Sequence, residues 1–213
     1  MKARAVLKTG ATLALIAAIC TALVAGTYRM TRERIAANRK AQLEQSLAPA
    51  LADLFYDSGV TESRLVLAPT DGLPGAGPVT VYRVFAGDQP VAALFVVTAR
   101  DGFSGPIRIL VGASADGSVT GIRILEHHET PGLGDKIDQS RSDWVYQFDG
   151  RSIGDPPADR WAIHEDGGDF DQLTGASITP RAVVKAIRDT LIYYDAHREE
   201  IFTLPATEDE DEE

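Results

Sequence analysis

With 213 residues, 44% of them hydrophobic, the chain can build one well-buried domain of ordinary size plus a smaller appendage, which excludes a disordered protein. A formal net charge of −10 argues against nucleic acid as a partner, because an acidic body repels the phosphate backbone. A single cysteine, Cys20, excludes an intrachain disulfide.

The charge is unevenly placed. The first 40 residues hold eight Lys and Arg against Glu33 alone, and the last six, Glu208 to Glu213, are all acidic. From Thr9 to Tyr28 runs an uncharged stretch, TGATLALIAAICTALVAGTY. As a helix rising 1.5 Å per residue it covers about 30 Å, one hydrocarbon thickness. This predicts a single transmembrane helix over 9–28 behind a short N-terminus, 1–8, with Cys20 a small apolar residue inside it. The run is longer than a signal-peptide core of about 7–15 residues, which favours a retained anchor. Lys2, Arg4 and Lys8 on one side face Arg29, Arg32 and Arg34 on the other, so charge alone leaves the orientation open.

Residues 29–57 read as an amphipathic helical connector, with Ile35, Leu43, Leu47, Leu51 and Leu54 near helical spacing and Pro49 interrupting them. A domain over 58–204 follows. Within it APTDGLPGAGP (68–78) is a loop, and four β-like runs succeed it: 79–85, 91–99, 107–113 and 119–125. The intervening GDQP and ADGS are tight-turn chemistry, which predicts an antiparallel meander. A final helix is expected from Pro180 to about Glu200, burying Val183, Val184, Ile187, Leu191 and Tyr194, with Thr179 as its N-cap. Residues 205–213 read as an acidic, disordered tail. The expected class is α+β: one N-terminal transmembrane helix, then a domain with an antiparallel sheet and flanking helices.

Two segments carry polar groups on irregular backbone. HHETPGLGDKI (127–137) follows the last predicted strand, and its Pro131, Gly132 and Gly134 impose a tight path that exposes backbone beside Glu129, Thr130 and Leu133. Such a loop can line a ligand pocket. A metal site from His127, His128, Glu129 and His164 does not match the usual ligand spacings, so no metal is expected. The second segment is DQLTGASITP (171–180). Its small residues bring backbone N–H groups close to a ligand, and a helix N-terminus favours an anion, which fits a phosphate; a plain helix cap fits as well. A hydrolase triad of Ser177, His164 and Asp171 lacks a nucleophile elbow, and no catalytic residue is assigned.

Taken together, these segments resemble the G subunit of the Rnf ion-translocating electron-transport complex, a family related to the C subunit of the sodium-pumping NADH:quinone reductase. The resemblance runs through the N-terminal anchor, GFSGPIRILVG (102–112), HHETPGLGDKI (127–137), SDWVYQFDG (142–150) and FDQLTGASITPRAVVKAI (170–187). It implies FMN held by a covalent phosphoester, placed by a flavin transferase on the hydroxyl that closes a D-x-x-(S/T)-G-A-T motif. Asp171, Thr174, Gly175 and Ala176 match that motif, and the acceptor position is Ser177, where the family usually has threonine. Thr179 is the nearest alternative hydroxyl. The resemblance also implies that Glu129, Thr130, Gly132, Leu133 and Gly134 form the other wall of a flavin pocket. It implies an inner-membrane subunit whose FMN-binding domain faces the periplasm and passes electrons in a complex linking ferredoxin and NAD to ion movement. Its partners would be the other Rnf subunits, the flavin transferase and the membrane. The alternative is a non-redox, membrane-tethered assembly subunit that has lost flavinylation through the serine.

Overall fold

The computed structural model describes residues 63–207 apart from 71, helical residues 10, 11, 13–26, 28 and 31, and Leu51, Tyr56 and Gly59 singly. The chain divides into two units, Met1–Leu43 and Glu44–Glu213. In the first, the described helical residues leave large apolar side chains in the open, among them Leu13, Leu23 and Val24. No helix among the described residues is long and apolar enough to cross a membrane. Residues 13–26, the longest unbroken described run there, rise only about 21 Å. The span expected over 9–28 also takes in residues 9, 12 and 27, which lie outside the described residues, as does most of the connector expected over 29–57.

The second unit is built on a five-stranded antiparallel sheet in sequential order: β1 Arg64–Leu67, β2 Val79–Ala86, β3 Gln89–Ala99, β4 Ile107–Ser114 and β5 Val119–Glu126. The four strands expected from the sequence are β2 to β5. The turn between β2 and β3 is tighter than expected. It lies at Gly87, whose φ of 58° needs no Cβ, and Gln89-Pro90 belong to β3, opposite a bulge at Val84/Phe85 that accommodates the proline. The edge strand β1 was not foreseen. Four residues are too few for a periodicity signal, and pairing here is completed from far along the chain: Thr207 donates its N–H to the Arg64 carbonyl at 2.7 Å and accepts the Val66 N–H on Oγ1 at 3.0 Å. Thr207 is thus bound to the sheet edge rather than disordered, a correction to the expected tail; residues 208–213 lie outside the described residues.

Alternation along the strands gives the sheet two apolar faces. One row runs Val81, Phe95, Val111, Ile122 across four strands, all fully buried. Against this face packs a long helix, α1, Ile178–Thr203, through Val183, Val184, Ile187, Leu191 and Tyr194. Tyr194 meets Phe95 edge-on at 5.7 Å and donates its hydroxyl to the Ser114 carbonyl at 3.0 Å; burial pushes its phenol up to about 12. The opposite face carries Val84, Ala92, Leu94 and Leu110, each fully buried, so the sheet is covered on both sides.

Between β5 and α1 the chain uses only short 3-10 turns, Gly134–Ile137, Trp144–Phe148, Ala158–Arg160 and His164–Asp166. Aromatic packing substitutes for regular structure there. Phe148 stacks on Phe170 at 4.8 Å and on Trp161 at 6.2 Å, and Trp144 meets Phe148 edge-on at 5.3 Å.

The C-terminal end of α1 is fastened to the sheet by a buried arginine. Arg83, 4% exposed, donates to the Ser63 hydroxyl and to the carbonyls of Ile201 and Leu204, which no helical N–H can reach. Arg83→Met keeps the apolar stem and strands those carbonyls, so denaturant unfolding should show a loss of about 2–4 kcal/mol. The exposed Arg100→Met should change stability by less than about 0.5 kcal/mol.

Candidate functional site

The DQLTGAS segment reaches α1 along a fixed path. Trp144 Nε1 donates to the Asp171 carbonyl at 2.7 Å and the Asp171 N–H donates to Gln147 Oε1 at 2.7 Å, so the SDWVYQFDG segment clamps the start of the motif. A tight turn follows, closed by the Ala176 N–H on the Leu173 carbonyl at 3.0 Å. Its bend requires a φ of +80° at Gly175, which glycine adopts without strain.

The helix then starts earlier than the sequence indicates, and this corrects the expected cap. Its N-cap position is Ser177, with no side-chain capping bond, and Thr179 lies inside the first turn. The Thr179 hydroxyl is 1% exposed and donates to Glu129 Oε2 at 2.5 Å. From inside the first turn the Thr179 side chain is directed at the buried carboxylate, and Pro180 is tolerated because first-turn N–H groups lack helical partners in any case. Ser177 is half-buried, and its hydroxyl makes no hydrogen bond to any described residue.

The HHETPGLGDKI loop comes to the same place from the end of β5. It turns at Gly132, φ +78°, with the Leu133 N–H on the Thr130 carbonyl at 3.1 Å and the Gly132 N–H on Asp135 Oδ1 at 2.7 Å. Glu129, 4% exposed, points inward and accepts two bonds: from Thr179 and, on Oε1, from the Ser104 N–H at 3.0 Å. One carboxylate therefore joins the GFSG turn, this loop and the start of α1.

Around that junction lies a cavity of 160 Å³ lined by Phe103, Glu129, Thr130, Leu133, Gly134, Gly175, Ala176, Ser177, Ile178 and Thr179. Eight of the site residues picked from the sequence line it. Three do not. Gly132 forms the exposed tip of its turn, Thr174 opens onto a separate polar cleft with His164, Glu165 and Gln172, and the Asp171 carboxylate is 75% exposed, 3.2 Å from His164 Nε2. Gly175 and Ser177 border both spaces. Phe103 and Ile178 were missed as site residues. Both are large, apolar and exposed, and with Leu133 they form an apolar rim. An aromatic side chain set between turn-forming residues, as in DGFSG, was the available signal for Phe103.

The histidines serve the backbone. His127 Nδ1 accepts the Glu129 N–H at 3.2 Å, and His164 Nδ1 sits 2.9 Å from the Gly168 carbonyl. Neither meets Ser177, so no Ser-His-Asp relay forms. Beside the polar cleft, the Arg181 guanidinium bonds Asp166 at 2.5 and 2.7 Å and holds its carboxyl below the usual carboxylate range, tying the 164–166 turn to the first turn of α1.

A sheet backed by a long helix, with a mainly apolar cavity at the helix start, belongs here to a recognised class: a family model described as an FMN-binding domain matches residues 102–192, which include every residue lining the cavity. A second, the RnfG N-terminal region, matches residues 1–49. Over 199 residues, 93% of this chain and 94% of the relative, the sequence is 41% identical to the G subunit of the ion-translocating oxidoreductase complex of Shewanella baltica (strain OS223). It is 44% identical over 200 residues, 93% of this chain and 96% of the relative, to the corresponding G subunit of Escherichia coli (strain K12). With that of Pseudoalteromonas atlantica it is 42% identical over 196 residues, covering 92% of this chain and 91% of the relative. The chain belongs to the family of ion-translocating oxidoreductase complex G subunits.

A Cβ on Gly134 would lie 2.8 Å from Glu129 Oε2 and 2.9 Å from Thr179 Oγ1. Gly134→Ala should therefore force that pair apart and lower unfolding stability by about 1–3 kcal/mol. Gly154→Ala, whose Cβ meets nothing within 4 Å, should leave stability within about 0.5 kcal/mol.

Proposed function

We propose that this chain is a membrane-anchored flavoprotein subunit that carries electrons through FMN bound covalently at Ser177, in an ion-translocating oxidoreductase complex of the kind named for its relatives. The observation that carries this reading is the contrast between two hydroxyls two residues apart. Ser177 lines the cavity half-exposed, its hydroxyl without a hydrogen bond among the described residues, while the hydroxyl of Thr179 is buried and donates to Glu129. A phosphoryl acceptor must be reachable by the transferase, and of these two hydroxyls Ser177 is the half-exposed one and Thr179 the buried one.

In the attachment step a flavin transferase presents FAD. The Ser177 Oγ bonds to the phosphorus on the flavin side, the diphosphate bond breaks, AMP leaves, and the hydroxyl proton passes to a base of the transferase. Gly175 contributes by having no side chain: a Cβ there would already stand 3.3 Å from Leu133 Cδ2. The first-turn N–H groups of α1 favour the phosphodiester, worth about 0.3–1 kcal/mol at an exposed helix end. Asp171, Thr174 and the polar cleft are surface features in reach of the transferase.

FMN, once attached, supplies reversible hydride or electron chemistry; the protein supplies place and surroundings. The residues present fit it. Phe103, Leu133 and Ile178 offer apolar surface to a planar ring, and Thr130 with the backbone at Gly134 offers polar contacts. At 160 Å³ the cavity is smaller than the roughly 300–1,000 Å³ of sites that enclose a ligand, so it would hold only part of the cofactor. The uncharged run from Thr9 to Tyr28 supports an inner-membrane anchor, with the domain on the periplasmic side as the resemblance implies. The other members of the complex are the expected redox and assembly partners.

Co-expressed with an active flavin transferase, the parent should gain the mass of one FMN less water and fluoresce in a denaturing gel. Ser177→Ala should fold normally and lose the label completely, and Ser177→Thr should be labelled at least as well as the parent. Thr179→Val should keep the label while losing about 1–3 kcal/mol of stability. Label surviving in Ser177→Ala and absent from Thr179→Val would reverse the two roles, and an unlabelled parent would support the assembly-subunit reading.

A further inference from the structure

Glu129 is a carboxylic acid where an amide would make the same contacts. It is 4% exposed, and among the described residues no arginine, lysine or histidine forms an ion pair with it. Its two partners, the Ser104 N–H and the Thr179 hydroxyl, are neutral. A glutamine could accept the first and bond the second through its NH₂, without a buried charge. Burying a charge against neutral groups is costly, so fastening three segments does not by itself account for the acid.

The space around the carboxylate is also specific. A Cβ on Gly134 would come within 2.8 Å of Oε2, so that glycine leaves room for the carboxylate; one on Gly102 would meet the Gly105 carbonyl at 2.2 Å before reaching Oε1 at 3.0 Å. The niche opens on the cavity that Ser177 borders.

We infer that Glu129 is the residue that sets the flavin's reduction potential: a fixed negative charge in the cavity wall that disfavours electron uptake by the cofactor attached beside it. The inference rests on the flavin reading proposed above. Its physical basis is that reduction adds negative charge to the ring system, and a carboxylate withdrawn from water repels that charge more strongly than one in solvent. The first turn of α1 and the two hydrogen bonds keep the carboxylate in place. Glu129 acts as a positioning and tuning residue, and no proton or bond is exchanged with it.

The test is a spectroelectrochemical titration of the full chain, flavinylated in a host with active transferase, for the parent and two variants. Glu129→Gln keeps shape and both contacts while removing charge. It should make the flavin easier to reduce by at least tenfold in the reduction equilibrium, about 30 mV for a two-electron couple. Glu129→Asp keeps charge but withdraws it from Thr179 by one methylene, and its potential should stay nearer the parent's than that of Glu129→Gln. An unchanged potential in labelled Glu129→Gln overturns the inference. If that variant does not fold, as read by a thermal melt, Glu129→Asp decides: a tenfold or larger shift with charge retained overturns it, and a near-parental potential supports it. A parent without covalent flavin is a different failure, which removes the proposed function and this inference with it.

Discussion

The buried hydrogen bond between Thr179 and Glu129 is the constraint on which the site's arrangement depends. It joins segments fifty residues apart, and through the Ser104 N–H it reaches a third, so three irregular stretches share one anchor. Each alone is a loop or a helix end with exposed backbone, the least stable kind of structure a chain can present. Held to one carboxylate, they enclose a cavity. The same bond holds the Thr179 hydroxyl in the interior, whereas Thr174 and Ser177 of the same motif stay at the surface.

That anchor is useful only because the rest of the domain presents it rigidly. The meander delivers Ser104 and Glu129 from β-strand ends, the GFSG turn preceding β4 and the HHETPGLG loop following β5, and antiparallel pairing of β4 with β5 places those ends side by side. On one of the sheet's two buried faces α1 is fixed by a row of aliphatic contacts and by Tyr194, and at its far end by Arg83. The short-turn region from 127 to 177 has little regular hydrogen bonding to stiffen it. Its aromatic cluster and the Trp144 and Gln147 bonds to Asp171 supply that stiffness, so the SDWVYQFDG segment fixes the start of the DQLTGAS segment from outside the cavity.

Local patterns in the sequence and contacts across it differed in legibility. Strands β2 to β5 and the buried face of α1 were readable because alternation and helical spacing are local signals of burial. Strand β1 was not, since its partners are β2 on one side and Thr207 on the other, the latter more than 140 residues away. The two motif segments were visible as unusual chemistry, and eight of their eleven candidate site residues meet in one cavity. What was misread was the use of individual groups. Thr179 followed by Pro180 has the composition of a cap, and only the tertiary placement of Glu129 shows that its hydroxyl is engaged elsewhere. Phe103 and Ile178 have no polar side-chain atom to mark them; the DGFSG turn hints at the first, and the exposure of Ile178 beside the cavity is a property of the fold.

The central claim is that the flavin is carried by Ser177 and by no other hydroxyl. Trypsin should release residues 161–181 as one peptide, because Arg160 and Arg181 bound a stretch without Lys or Arg, and that peptide holds Thr174, Ser177 and Thr179 together. Tandem mass spectrometry of this peptide, from protein matured by an active flavin transferase, localises any added FMN. The account predicts the added mass on every fragment containing Ser177 and on none that ends at Ala176 or begins at Ile178. Added mass on Thr174 or Thr179, or a peptide wholly unmodified, would contradict it.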